Sequence, residues 1–148
     1  MTRHAPLTLD HFPYRLTIPT RWSDNDMFGH INNVLYYRYY EAVILKFLAE
    51  KAGFHGFDEP VLVFAAESQC RFLKPLSYPG NIVATLCIEH LGCTSVRYGL
   101  GLFEEGEKQA AATGHWVHVF VDRATQRPVP IPEPIRAVFS QFQVNAHA

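Results

Sequence analysis

The sequence predicts an α+β domain: a five-stranded antiparallel sheet wrapped around one long central helix, in the order β-α-β-β-β-β. Three observations predict it. Residues 34–52 carry an almost unbroken apolar segment of helical length, bounded by Asn32-Asn33 before it and Gly53 after it. Five other segments alternate apolar and polar side chains, or are rich in Val, Phe and Tyr, as strands are. The helix falls between the first strand and the other four. Runs of strands with a single segregated helix indicate an antiparallel sheet.

The elements follow in order. Residues 1–12 form an N-terminal arm. Tyr14 to Trp22 alternates, with Tyr14, Leu16, Ile18 and Trp22 against Arg15, Thr17, Pro19 and Arg21. Pro19 lacks a ladder donor, so this strand belongs at a sheet edge or a bulge. The helix has Arg38, Glu41, Lys46, Glu50 and Lys51 as its charges, and they do not collect on one face. A helix apolar nearly all round is expected to be enclosed, here by a sheet that curls around it. Lys46 and Lys51 suit the negative end of its dipole, and Gly53 is a natural residue to end it.

Strands are expected at Leu62–Leu73, Asn81–Leu91, Thr94–Phe103 and Lys108–Asp122, the last being the longest. Short links suggest that these four form a meander of hairpins. Gly99 and Gly101 mark strong curvature or a closely passing chain. A proline-rich run, Arg127 to Pro134, precedes a short helix over Pro134–Phe142, within a C-terminal extension of residues 131–148.

At 148 residues the chain is read as one domain with a substantial core. A formal net charge of −1 provides no basic field for nucleic acid or an anionic membrane. The central helix is too interrupted by charge to span a bilayer, and the N-terminus has no long apolar run. Cys70, Cys87 and Cys93 form no CxxC pair and read as reduced thiols of a cytoplasmic protein. His115 and His118 lie three apart on a strand and so point to opposite faces, and no metal is expected. The chain has no GxSxG, GxGxxG or P-loop.

The chemistry concentrates ahead of the helix, in RWSDNDMFGHINN. Asp24 and Asp26 lie in a turn with Gly29 and His30, and Asn32 and Asn33 are helix caps. A helix start carries unpaired N–H donors and partial positive charge. A carboxylate beside such donors can attack a carbonyl while the donors stabilise the oxyanion. The plainer alternative for Asp26 is a turn former bonding its own backbone. Asp24, two residues earlier, reads as a turn residue or a partner of Arg21. His30 reads equally as a polarising group or a structural donor. The helix tyrosines, Tyr36, Tyr37, Tyr39 and Tyr40, read as core more than as a substrate gate.

The motif RWSDNDMFGHINNVLYYRYYEA, with the element order, resembles the 4-hydroxybenzoyl-CoA thioesterase-like family of the hotdog fold, across roughly Tyr14 to Pro130. The resemblance implies an acyl-CoA thioesterase in which Asp26 is the general base or nucleophile. It implies that the Asn33 backbone N–H polarises the thioester oxygen and that Gly29 is the turn glycine. His30 and Asn32 become possible supports, and Tyr36, Thr94, Ser95 and Arg71 candidates for binding substrate. No cofactor is implied, since coenzyme A is part of the substrate. Subunits in such relatives join their sheets, which implies a homodimer or a tetramer made of two dimers, with the active site at the subunit interface. One departure stands out. Benzoyl-type members carry a basic cluster for the CoA phosphates between the third and fourth strands, where this chain has Leu91-Gly92-Cys93-Thr94-Ser95. Arg71, Lys74, Arg97 and Arg123 are the candidate replacements. A hydratase or dehydratase of the same fold, and a non-catalytic acyl-CoA-binding module, are the alternatives.

Overall fold

The structure is a computed structural model that describes residues 7–56 and 58–144. Its elements are β1 (Tyr14–Ile18), α1 (Asn33–Ala52), β2 (Val61–Phe72), β3 (Ile82–Leu91), β4 (Ser95–Glu104), β5 (Ala112–Asp122) and α2 (Glu133–Gln141). The five strands form one antiparallel sheet in the order β1-β3-β4-β5-β2. β1 is an edge strand and stops at Ile18, immediately before Pro19. The segment beyond it, expected to continue as strand to Trp22, instead turns into a short 3₁₀ helix over Trp22–Asp24.

Two expectations need correction. Only β3, β4 and β5 form a meander. β2 pairs with β5 at the opposite edge, so residues 73–81 cross from one side of the sheet to the other rather than closing a hairpin. Strand alternation reports which side chains share a face, but not which neighbour a strand selects. The longest strand is β2, with 12 residues, because Lys108–Ala111 remains outside β5.

The central helix is enclosed on one face rather than all round. Tyr36, Tyr39, Tyr40, Val43, Ile44, Phe47 and Leu48 are buried, at the i, i+3, i+4 spacing of a single helical stripe. Val34 and Leu45, on other faces, are 68% and 53% exposed. The sheet of one chain curls over one side of a helix, and the apolar residues left on the other side have no wall among the described residues. α1 packs chiefly on β3, β1 and β4. At the far end Phe47 lies parallel to Phe139 of α2, with ring centres 6.1 Å apart, and meets Tyr14 and Phe142 edge-on. Each such buried ring contributes about 1.5–3 kcal/mol through apolar burial.

The close approach that Gly101 suggested is visible. A Cβ there would lie 3.0 Å from the ring of Phe12, which the N-terminal segment lays over the outer face of the sheet. No helix among the described residues is long and apolar enough to cross a membrane.

His115 and His118 lie on opposite faces of β5. His115 is on the outer face with Glu67 and Arg97, while His118 is buried toward the core. His118 shares a hydrogen bond of 3.1 Å with the Tyr98 hydroxyl, between Oη and Nδ1. Burial lowers its pKa from 6.5 to about 4, because a desolvated imidazolium is disfavoured. Between those values the unfolded chain binds a proton that the folded chain does not. Stability is therefore full above pH 6.5 and falls as pH drops toward 4, by about 3 kcal/mol for this group. Urea denaturation at pH 5 and pH 7.5 is expected to show about 2 kcal/mol of this loss. Replacement by His118→Gln is expected to flatten the dependence in that window, whatever its effect on stability at pH 7.5.

Candidate active site

The segment between β1 and α1 is a tight structure built around two acids with different tasks. Asp24 is 3% exposed. Its Oδ2 accepts the Arg21 backbone N–H at 2.8 Å and the Tyr39 hydroxyl at 3.4 Å. Its Oδ1 accepts from the Arg21 guanidinium at 3.2 and 3.3 Å. Burial, and then the Asp24 carboxylate, push the Tyr39 hydroxyl up to about 12. The Asp24 carbonyl also accepts the Asn32 N–H at 3.0 Å. Asp24 is thus the partner of Arg21 that the sequence suggested, and it also pins the turn to the buried face of α1.

From there the chain makes a miniature hairpin. Asn25 bridges Ile31, and the Asp26 N–H donates to the His30 carbonyl at 2.7 Å. The tip requires Gly29, whose φ of +81° lies in the left-handed region that L side chains avoid. The β2–β3 crossover holds the hairpin from outside. The Ile31 N–H donates to the Leu76 carbonyl at 2.7 Å, and the Ser77 hydroxyl donates to the Gly29 carbonyl at 3.0 Å.

Asp26 is half-buried. Its Oδ1 accepts the Phe28 N–H at 2.8 Å and the His30 N–H at 3.4 Å. The plain turn-forming role is therefore real, but it uses only one oxygen. No donor among the described residues reaches Oδ2. α1 begins immediately afterwards. Asn32 is the cap, its Oδ1 accepting the Val34 N–H at 3.0 Å. Asn33 is the first helical residue, and its N–H, one of the donors a helix start leaves over, meets no acceptor among the described residues.

Asp26 and Asn33 line one open cavity of about 570 Å³, together with Phe28, His30, Ile31, Tyr36, Phe72, Leu73, Lys74 and Pro75. Tyr36 is 2% exposed, with its ring centre 5.0 Å from that of Phe72. The cavity therefore combines a carboxylate with one unengaged oxygen, an unpaired N–H at a helix start, and a mainly apolar wall.

Of the residues that the sequence singled out, the structure gathers Asp26, His30, Asn33 and Tyr36 at this cavity. Gly29 and Asn32 shape the turn and the helix start behind it. Arg71 and Ser95 line a different groove, of about 770 Å³, beside Arg97, Glu89 and His115. Thr94 lies in the β3–β4 turn, where its carbonyl accepts the Phe120 N–H at 2.8 Å. Within one chain these three are not brought to Asp26. The wall Phe72-Leu73-Lys74-Pro75 was not assigned to the site from sequence. Its place depends on where β2 ends relative to α1, which no local pattern encodes. No group of three His, Cys, Asp or Glu among the described residues is placed to hold a metal.

Comparison with known proteins bears on the fold and the family. The profile of the Thioesterase-like superfamily matches residues 20–139. The crystal structure of the PA5185 protein from Pseudomonas aeruginosa strain PAO1 is similar to this chain with a TM-score of 0.92 and 35% identity, over 97% of this chain and 100% of that one. The PA2801 protein of Pseudomonas aeruginosa is 30% identical, with a TM-score of 0.80, over 85% and 97%. A thioesterase from Thermus thermophilus, complexed with coenzyme A and zinc, is 25% identical with a TM-score of 0.75, over 86% and 98%. No curated protein matches. With its sheet wound on one central helix and a family match spanning most of its length, the chain belongs to the Thioesterase-like superfamily, as a hotdog-fold thioester hydrolase.

Proposed function

We propose that this chain hydrolyses an acyl-CoA thioester to a free carboxylic acid and coenzyme A at the Asp26–Asn33 cavity. The observation that carries the reading is the pairing, in one cavity, of an Asp26 oxygen without a donor and an Asn33 N–H without an acceptor among the described residues. The family match and the coenzyme A bound to the Thermus relative support it. The thioester oxygen accepts the Asn33 N–H, and the helix dipole favours negative charge at that oxygen as the carbon becomes tetrahedral. Asp26 Oδ2 removes a proton from the attacking water, the C–S bond breaks, and the proton passes to the departing thiolate. Direct attack by Oδ2, with an anhydride that water then opens, uses the same oxygen. Single turnover in ¹⁸O-water tests the second route, because label enters Asp26 only when water opens an anhydride at the Asp26 carbonyl carbon.

The reading includes a second copy of the chain. The outer edge of β2 pairs with no strand among the described residues, and Phe64 and Phe72 on this strand are 43% and 45% exposed. A long unpaired edge invites another strand. Joining two β2 edges would bring a second chain near the open side of α1. A dimer or tetramer by light scattering is expected, and a monomer at micromolar concentration would refute this part.

The two acids should separate cleanly in mutants. Asp26→Asn is expected to lower kcat by about 10²–10⁴-fold if the acid acts as a general base. It is expected to change unfolding free energy little, since an amide oxygen still accepts the Phe28 and His30 N–H groups. DTNB detection of released thiol checks the first, and wild-type turnover by the variant would overturn the assignment.

Asp24→Ala is expected to behave in the opposite sense. Stripping the acceptor from Arg21 and the buried Tyr39 hydroxyl should cost roughly 2–4 kcal/mol in urea denaturation. Crotonyl-CoA addresses the hydratase alternative: loss of the enoyl chromophore without thiol release would favour it.

A further inference from the structure

Four cations were available to meet a negative group on the substrate, and the structure separates them. Arg123 is occupied: its Nε and Nη2 each donate at 2.6 Å, to the carbonyls of Glu59 and Gly56. Arg97 is occupied by Glu89 at 3.0 Å and by His115 at 3.1 Å. Arg71 lines the other groove. Lys74 is the single lysine or arginine lining the Asp26 cavity among the described residues.

Lys74 is half-buried, and among the described residues no carboxylate lies within ion-pair distance of its ammonium. Its neighbours in the wall are Phe72, Leu73 and Pro75. The described residues supply Lys74 with no anionic partner, which leaves it available to a charged group on the substrate. Asp26 does not supply that partner: its bonded oxygen faces the Phe28 and His30 N–H groups, and no ion pair joins it to Lys74.

The position also limits which part of an acyl-CoA Lys74 can meet. Treated as a sphere, 570 Å³ is about 10 Å across. The pantetheine arm holds the CoA phosphates farther than that from the thioester sulfur. Lys74 lines that cavity, so the substrate groups within its reach are those near the thioester, and among these only the acyl group can carry a charge. Resting on the hydrolase reading above, we propose that Lys74 is a specificity-determining residue that selects acyl groups carrying a carboxylate. The apolar wall takes the carbon chain and the ammonium takes its charged end.

The test compares esters of equal carbon count, glutaryl-CoA against pentanoyl-CoA and adipyl-CoA against hexanoyl-CoA. The quantity measured is the ratio of kcat/KM for the charged ester to that for the neutral one. Lys74→Met is expected to lower this ratio by about 10- to 100-fold, the usual worth of a charge-assisted hydrogen bond. Lys74→Arg is expected to retain most of it.

An unchanged ratio in Lys74→Met overturns the proposal, and so does an equal loss for both esters, which would place Lys74 on the shared CoA portion. The same pairs are titrated calorimetrically into Asp26→Asn with and without Lys74→Met. If the wild-type chain releases no thiol from these esters or from a series of short to long acyl and aryl CoA esters, the hydrolase reading fails. The ratio of Kd values then decides Lys74 by itself: a loss of affinity confined to the charged ester supports the proposal, and no selective loss refutes it.

Discussion

The buried Asp24 carboxylate is the constraint on which the site depends. It collects donors from two elements, Arg21 ahead of the turn and Tyr39 in the second turn of α1, and its own carbonyl receives the Asn32 N–H. These contacts fix the distance between the end of the first strand segment and the start of the helix. The hairpin between them has no room to drift, and Asp26 is presented at the helix start as a consequence. A buried carboxylate with several donors is worth keeping only when all are satisfied, because losing one partner leaves the others desolvated and unpaired.

Held in this way, Asp26 divides its two oxygens. One completes the turn through the Phe28 and His30 N–H groups, which fixes the carboxylate plane. The other has no protein donor among the described residues, and Asn33, the first residue of α1, lines the same cavity. Both features come from the same backbone event. The chain must enter the helix abruptly for Asn32 to cap through Val34, and that entry is what leaves the Asn33 N–H without an acceptor. Turn stability and the preorganisation that the proposed chemistry needs are therefore met by one geometry, and no strained side chain has to be invoked.

Much of this was legible in residue order, for a physical reason. The DNDMFGHINN segment is local, so its turn chemistry, glycine and caps act within ten residues of one another. The different fates of Asp24 and Asp26 also followed from their spacing of two. What the sequence did not disclose depends on long-range placement. The crossover that carries β2 away from β3 is a choice of neighbour, and alternation is silent on neighbours. The Phe72–Pro75 wall reaches the site only because that crossover passes the helix start, where Leu76 and Ser77 bond to Ile31 and Gly29. For the same reason the sequence could not show that, within one chain, Arg71 and Ser95 line another groove.

The half-open helix would tie the proposed chemistry to assembly. Its apolar residues do not gather on one side in sequence, yet one chain covers only the stripe from Tyr36 to Leu48. Val34 and Leu45 remain in solvent, as do Phe28, Phe72 and Leu73 around the cavity, which costs free energy without benefit to an isolated monomer. The 12-residue β2 strand adds an edge, unpaired among the described residues, at the side of the sheet where α1 is least covered. A second copy added along that edge would satisfy the backbone donors and cover apolar surface in the same step. It would also supply the missing wall of the Asp26 cavity and exclude water from it. Excluding water strengthens every interaction between the Asn33 N–H and a developing oxyanion. In this reading the drive to associate and the drive to polarise a thioester draw on the same exposed surface, so the mainly apolar character of the wall serves assembly and chemistry together.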